Sequence, residues 1–174
     1  MRLLYTLSTL AFAAAVNAAD YQTVRDDIAN ISTILGRLED VAKGIKPGSL
    51  GIARALQLEA ESVLMHKTLL VTTADTRASP PFEEHSLDVG GDFLNMQPKV
   101  EGALQSVTDQ KQNLGDLGVV VLACLYQLKQ DTDILGKDVI AKLNEDFQTV
   151  APQVLAAIID TFNKAITAYG GKVA

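Results

Sequence analysis

Val119-Val120-Val121-Leu122-Ala123-Cys124-Leu125-Tyr126 is apolar without interruption, and its reading decides the fold class. Three consecutive valines suit a buried strand. The pattern continues, however, as Leu128, Thr132, Leu135 and Val139 at helical spacing, and no other segment offers a strand to pair with. The stretch therefore reads as the first half of a helix. A helix that is apolar all round is enclosed by neighbours on most sides, so this fourth helix is expected at the centre of the fold.

The segments on either side are amphipathic helices. Val24, Ile28, Ile31, Leu35, Leu38 and Val41 form one apolar stripe, ended by Lys43-Gly44 and Pro47 in the order expected at a helix C-terminus. A second helix is expected from about Ser49 to Ala74, with Ile52, Leu56, Val63 and Leu70 on one stripe and Leu58, Met65 and Leu69 beside it. Ser79-Pro80-Pro81 breaks the chain, because proline cannot continue a helix and pushes the preceding residue into extended conformation. From Phe82 to Leu114 the pattern reads as one third helix, weakened at Gly90-Gly91 and kinked at Pro98. Gly115 and Gly118 mark the boundary before the fourth helix. A fifth is expected from near Thr149, with Pro152 in its first turn and Val154, Leu155, Ile158, Ile159, Phe162, Ile166 and Tyr169 along it. The fold class is all-α: a five-helix bundle with a kinked third helix and a central apolar fourth helix.

The first residues read as a secretory leader. Met1-Arg2 precedes an apolar run from Leu3 to Val16, and Val16-Asn17-Ala18 carries the small-x-small pattern that signal peptidase reads. Cleavage after Ala18 is expected, leaving one domain over residues 19–174. The run is shorter than the roughly 20 residues of a membrane span and is followed by Asp20. The C-terminus lacks the hydrophobic tail of a lipid-anchor signal. A secreted product is expected, extracellular or held non-covalently at the cell wall.

Composition removes several function classes. The chain has 174 residues, a net charge of −6 and 5% aromatic residues, which suits neither phosphate neutralisation nor base stacking. No nucleophile elbow, zinc-binding helix motif, phosphate loop or metal-ligand spacing is present, so neither catalysis nor a cofactor is expected. His66 and His85 stand alone, and the pairs Asp26-Asp27 and Glu83-Glu84 splay round their helices as solvated faces. Cys124, the one cysteine, lies in the most apolar stretch and is expected buried and reduced. Asn30-Ile31-Ser32 is a glycosylation sequon, with Asn30 about 200° round the helix from Ile28 and hence toward solvent.

Several local patterns resemble one family: the opening stripe Val24 to Val41; Gly51 followed by Leu56; Leu94, Pro98, Val100, Leu104, Val107 and Lys111; and Leu125, Leu128, Thr132 and Leu135. In this order, behind a leader in an acidic chain, they resemble the fungal cell-wall galactomannoproteins that include hydrophobic surface-binding protein A. The resemblance implies a secreted five-helix bundle and, in several members, a fatty acid or other lipid held in an apolar cavity between helices. It also implies adsorption to hydrophobic surfaces, recruitment of a secreted hydrolase, and host interaction. The chain departs from the family at Gln110-Lys111-Gln112, where two adjacent basic residues are common, and in lacking a Ser/Thr-rich tail.

A bundle poor in aromatic residues leaves space between long helices. An empty cavity of about 300 Å³ would cost roughly 7 kcal/mol, so such a site either collapses when empty or is occupied. A long acyl chain is the expected occupant, since burying about 14 methylenes gains on the order of 11 kcal/mol gross. The expected lining, drawn from helices two to five, is Leu56, Val63, Leu104, Val107, Val121, Leu125, Leu128, Ile158 and Phe162. Gln57, Ser62, Gln105 and Gln127 are the candidates for a polar mouth that partners the carboxylate. The same apolar residues also describe a packed core. The competing reading is a surface-active protein whose bundle opens on a hydrophobic solid. The protein is expected as a monomer or weak dimer.

Overall fold

A computed structural model describes residues 19–173. The expected leader, 1–18, lies outside the described residues. Five long helices carry the fold: α1 (Tyr21–Lys43), α2 (Ile52–Ala78), α3 (Ser86–Asp109), α4 (Gly118–Lys142) and α5 (Glu145–Ala168), with no strand among the described residues. Single turns of 3-10 helix lead into α2 (Gly48–Gly51) and α3 (Glu83–His85). A short helical turn (Lys111–Leu114) and a 3-10 turn (Gly115–Leu117) join α3 to α4.

Local chemistry explains the boundaries. Asp20 caps α1, its Oδ1 accepting from the Thr23 amide at 2.8 Å. α2 runs four residues past the expected Ala74, to Ala78, where Ser79 turns extended ahead of Pro80 and its hydroxyl donates to the Thr76 carbonyl at 2.7 Å. α5 begins at Glu145, ahead of the expected Thr149, because Asn144 caps it by accepting from the Phe147 amide. Pro152 therefore stands in the third turn of α5, and Pro98 stands inside α3. Each deletes one helical hydrogen bond, but Gln148 and Leu94, whose carbonyls lose that donor, lie on exposed faces where water replaces it.

The five helices close into a ring. α1 packs on α2 and α3, α2 on α4, α4 on α5, and α5 back on α3. Each seam has its own tie. Arg25 Nε meets Asp92 Oδ2 at 2.6 Å between α1 and α3, and Arg37 Nε meets Glu61 Oε2 at 3.0 Å between α1 and α2. Arg77 Nε meets Asp138 Oδ2 at 2.7 Å between α2 and α4, and the Tyr169 hydroxyl of the α5 cap donates to the Val107 carbonyl of α3 at 2.7 Å. α4 and α5 approach so closely at Gly136 that a Cβ there would stand 2.4 Å from Leu155 Cδ1.

This arrangement corrects two expectations. α4 is not central: it has two principal neighbours like every other helix, and Val119 and Val120 at its start are 74% and 40% exposed. The axis of the ring is instead occupied by side chains alone. The stripe of α2 is also reversed. Ile52, Leu56, Val63 and Leu70 face outward, 45% to 57% exposed, whereas Leu58, Met65 and Leu69 are buried. The inner face of α2 is rich in hydroxyls that need no partner from another helix. Ser62 donates to the Leu58 carbonyl, Thr72 to Thr68 and Thr73 to Leu69, each four residues back.

One end of the ring is sealed. There the Phe82 amide donates to the Lys142 carbonyl at 2.8 Å and the Asn144 amide to the Ser86 hydroxyl at 2.9 Å, locking the α2–α3 connection onto the α4–α5 connection. Phe82, Val89, Val139 and Leu143 are buried beneath. At the opposite end Leu50 and Leu117 are 78% and 38% exposed.

Asp27 was expected on a solvated face but turns toward Asp75 of α2, and its Oδ2 is buried without a hydrogen-bond partner. Burial first, then the Asp75 and Asp26 charges, push its carboxyl up to about 6. A carboxyl raised in the folded state contributes fully below its unfolded pKa near 3.8, and that contribution is lost as pH rises through about 6. Asp27→Asn is therefore expected to raise stability by about 1 kcal/mol above pH 6, after allowance for solvent screening, and to leave it unchanged near pH 4. Chemical denaturation of both proteins at the two pH values checks this.

Candidate functional site

The ring encloses a cavity of about 80 Å³. Ring geometry accounts for it. Helices about 9 Å apart and arranged five to a ring place the axis roughly 7.7 Å from each helix, beyond the roughly 5–6 Å radius of a helix with its side chains. The remaining space is the width of an alkyl chain. All five helices line it: Ile31, Leu35 and Leu38 from α1; Leu58, Ser62, Met65 and Leu69 from α2; Phe93, Met96, Val100, Ala103, Leu104 and Val107 from α3; Leu125, Leu128, Thr132 and Leu135 from α4; and Phe162 from α5. The participation of α1 departs from the sequence expectation. Along α2 the lining runs from Ala55 to Leu69, about 21 Å at 1.5 Å per residue, the length of an extended long-chain fatty acid.

The cavity has a floor and a mouth. Leu69, Phe93, Met96 and Leu135 lie toward the sealed end and are all buried. The lining residues that reach solvent cluster at the other end: Leu56, Glu59, Leu117 and Val120 are exposed, and Ala55, Val121 and Cys124 are half-buried. The mouth therefore opens at the seam between α2 and α4, near the N-termini of both helices. Farther along this seam His66 Nδ1 meets the buried Asp131 Oδ2 at 2.6 Å, and Gln127 Nε2 donates to Asp131 Oδ1 at 3.0 Å. These bonds satisfy a carboxylate that would be costly to bury alone.

Among the expected lining residues, Leu56, Leu104, Val107, Val121, Leu125, Leu128 and Phe162 come together on the cavity. Ile158 is fully buried in the core but does not border the cavity, and Val63 faces outward. Of the polar candidates only Ser62 borders it. Gln57 is exposed and accepts from Arg54, Gln105 donates to Asp109, and Gln127 is held by Asp131. Sequence reasoning missed Glu59, one turn from Leu56, because a charged residue at the start of a helix reads as a solvated one. Cys124 is half-buried at the mouth, not enclosed, and burial followed by the Glu59 charge pushes its thiol up, which suppresses the thiolate.

The chemistry of this lining is narrow. Its polar groups are the Glu59 carboxylate, the Ser62 and Thr132 hydroxyls and the Cys124 thiol, with no Lys, Arg or His among them. An apolar tail fits and a buried anion does not. Elsewhere, His85 stacks on Tyr21 with ring centroids 3.6 Å apart, and Asn30 is exposed on α1. Among the described residues no three His, Cys, Asp or Glu side chains gather into a metal site, and no helix is long and apolar enough to cross a membrane.

Comparison with solved structures finds the same ring in fungal proteins. AfMP4p in complex with palmitic acid superposes with a TM-score of 0.81 at 20% identity, over 85% of this chain and 98% of that one. Ligand-binding domain 1 of the Penicillium marneffei MP1 protein, complexed with arachidonic acids, gives 0.76 at 16% identity over 83% and 94%. Domain 2 of the same protein, also with arachidonic acids, gives 0.75 at 21% identity over 90% and 95%. No curated protein matches the chain by sequence. The family model for hydrophobic surface binding protein A matches residues 21–141, from the start of α1 to the end of α4, and so takes in both helices of the mouth. By that match the chain belongs to the hydrophobic surface binding protein A family.

Proposed function

We propose that this protein is a secreted carrier of a long-chain fatty acid or similar lipid, exported to the wall or the medium. The acyl tail lies along the axis of the ring and the headgroup rests at the mouth beside Glu59. The observation that carries the reading is an axial cavity lined by all five helices, floored by Phe93 and Met96 and opening between α2 and α4. The fold it shares with proteins crystallised around palmitic and arachidonic acids supports it.

Energetics fit a site that tightens when empty. A void of about 80 Å³ costs roughly 2 kcal/mol, tolerable for a domain stable by about 5–15 kcal/mol. To admit a whole acyl chain the lining must move outward. Met65 and Met96 are flexible enough to repack, and the Ser62 and Thr72 hydroxyls, bonded within α2, tie its inner face to no other helix. The headgroup meets two opposing fields. The positive N-terminal ends of α2 and α4 attract an anion, while Glu59 repels an ionised carboxylate.

Native mass spectrometry of the delipidated protein mixed with palmitate is expected to show one bound fatty acid per chain. Val121→Trp, which plugs the mouth at a half-buried position, is expected to weaken that binding by about tenfold or more while the circular dichroism spectrum is kept. A protein that never takes up a fatty acid overturns the proposal. Glu59→Gln is expected to strengthen palmitate binding about fivefold at pH 7.5 and to leave binding of the corresponding fatty alcohol unchanged, as read by calorimetric titration.

A further inference from the structure

The outward face of α2 is as apolar as a core. At 100° per residue, an arc of about 120° centred on Lys67 holds Ile52, Ala53, Leu56, Ala60, Val63, Leu64, Leu70, Val71, Ala74 and Ala78, and no polar residue but Lys67 itself. Within it Leu56, Val63, Leu64, Leu70 and Val71 are between 43% and 57% exposed, along about 22 Å of helix. Single exposed leucines are ordinary; a continuous apolar stripe of this length is not.

We propose that this stripe lies in the plane of a lipid surface without net charge, such as a zwitterionic bilayer or a neutral droplet. It thereby sets the mouth of the cavity against the lipid. Two observations select this occupant over a second copy of the chain. First, the stripe is continuous with the mouth through Leu56, which belongs to both, so a lipid leaving the surface reaches the cavity without crossing water. Second, the chain carries 21 acidic residues, yet no exposed carboxylate falls in the arc. Lys67 takes part in none of the ion pairs among the described residues. In a two-fold pairing of stripes this cation would be buried with no anion from the opposing stripe. At a lipid surface its stem lies along the apolar boundary and its ammonium reaches the headgroups. A net charge of −6 disfavours a strongly anionic membrane, so adhesion comes from apolar burial and persists at high salt.

Docking stands apart from the carrier reading; only the delivery step rests on it. The experiment measures co-sedimentation of the full mature protein with phosphatidylcholine vesicles at low and high salt, alongside the uptake of palmitate from solution. The wild type is expected to bind vesicles at both salt concentrations. Leu70→Glu combined with Val71→Glu, at half-exposed positions that leave the core untouched, is expected to weaken vesicle binding about tenfold or more and to keep palmitate uptake. Val150→Glu, at an exposed position on α5, is expected to change neither. Absence of vesicle binding by the wild type, binding that survives the double substitution, or a dimer in sedimentation velocity that the double substitution dissolves overturns the proposal. Loss of palmitate uptake with vesicle binding intact leaves docking standing and refutes the carrier instead.

Discussion

Closure of five helices into a ring is the constraint on which the rest depends. A fourth helix can fill the groove left by three, but five that each touch only two principal neighbours leave an axis that no backbone reaches. Side chains must fill it, and this sequence supplies mostly aliphatic ones, with Phe93 and Phe162 as the aromatic lining groups. The residual space is small because leucine and methionine lean inward from every helix. It is elongated because the ring is long. Shape and chemistry both follow from this geometry: a narrow apolar channel, sealed where Phe82 and Asn144 lock two connections together and open where α2 and α4 begin.

The seams of the ring are not equivalent. The α4–α5 seam is tight, since Gly136 receives Leu155 directly. One ion pair spans each of α1–α2 and α1–α3. The α2–α4 seam is different, being held by Arg77–Asp138 toward the sealed end and His66–Asp131 midway, with no ion pair among the described residues at the mouth. Both ties lie away from the mouth, so the ring opens most readily at the untied end of this seam. That is also the seam whose outer edge carries the apolar stripe of α2.

The sequence made the helices legible and left their arrangement partly hidden. α1 has one apolar stripe, so its buried face has a single solution, and Val24, Ile28, Ile31, Leu35, Leu38 and Val41 are all buried as expected. α2 has two apolar arcs. Periodicity cannot choose between them, and composition favours the wrong one, because the inner arc carries Ser62, Thr72, Thr73 and Thr76 where the outer carries leucine, valine and alanine. The hydroxyls go inside without great cost because three of them bond back to their own helix. The uniformly apolar start of α4 misled in a similar way. A run that suggests a helix enclosed on all sides is here a helix whose outer valines border an open mouth. Leu104, Val107, Leu125 and Leu128 were legible as lining because their faces are unambiguous. Glu59 and Cys124 were not, since their place at the mouth depends on which helices adjoin across the ring.

In the proposed carrier an acyl chain occupies the axis of this ring with its tail toward Met96 and its headgroup toward Leu56. Paramagnetic broadening of methyl resonances by fatty acids carrying a nitroxide either near the tail end or near the headgroup tests it most directly. The tail label is expected to broaden the methyls of Met96, Leu69 and Leu135, and the headgroup label those of Leu56 and Val120. Broadening confined to Val63, Leu70 and Val71 on the outer stripe, with the axial methyls untouched, would contradict it.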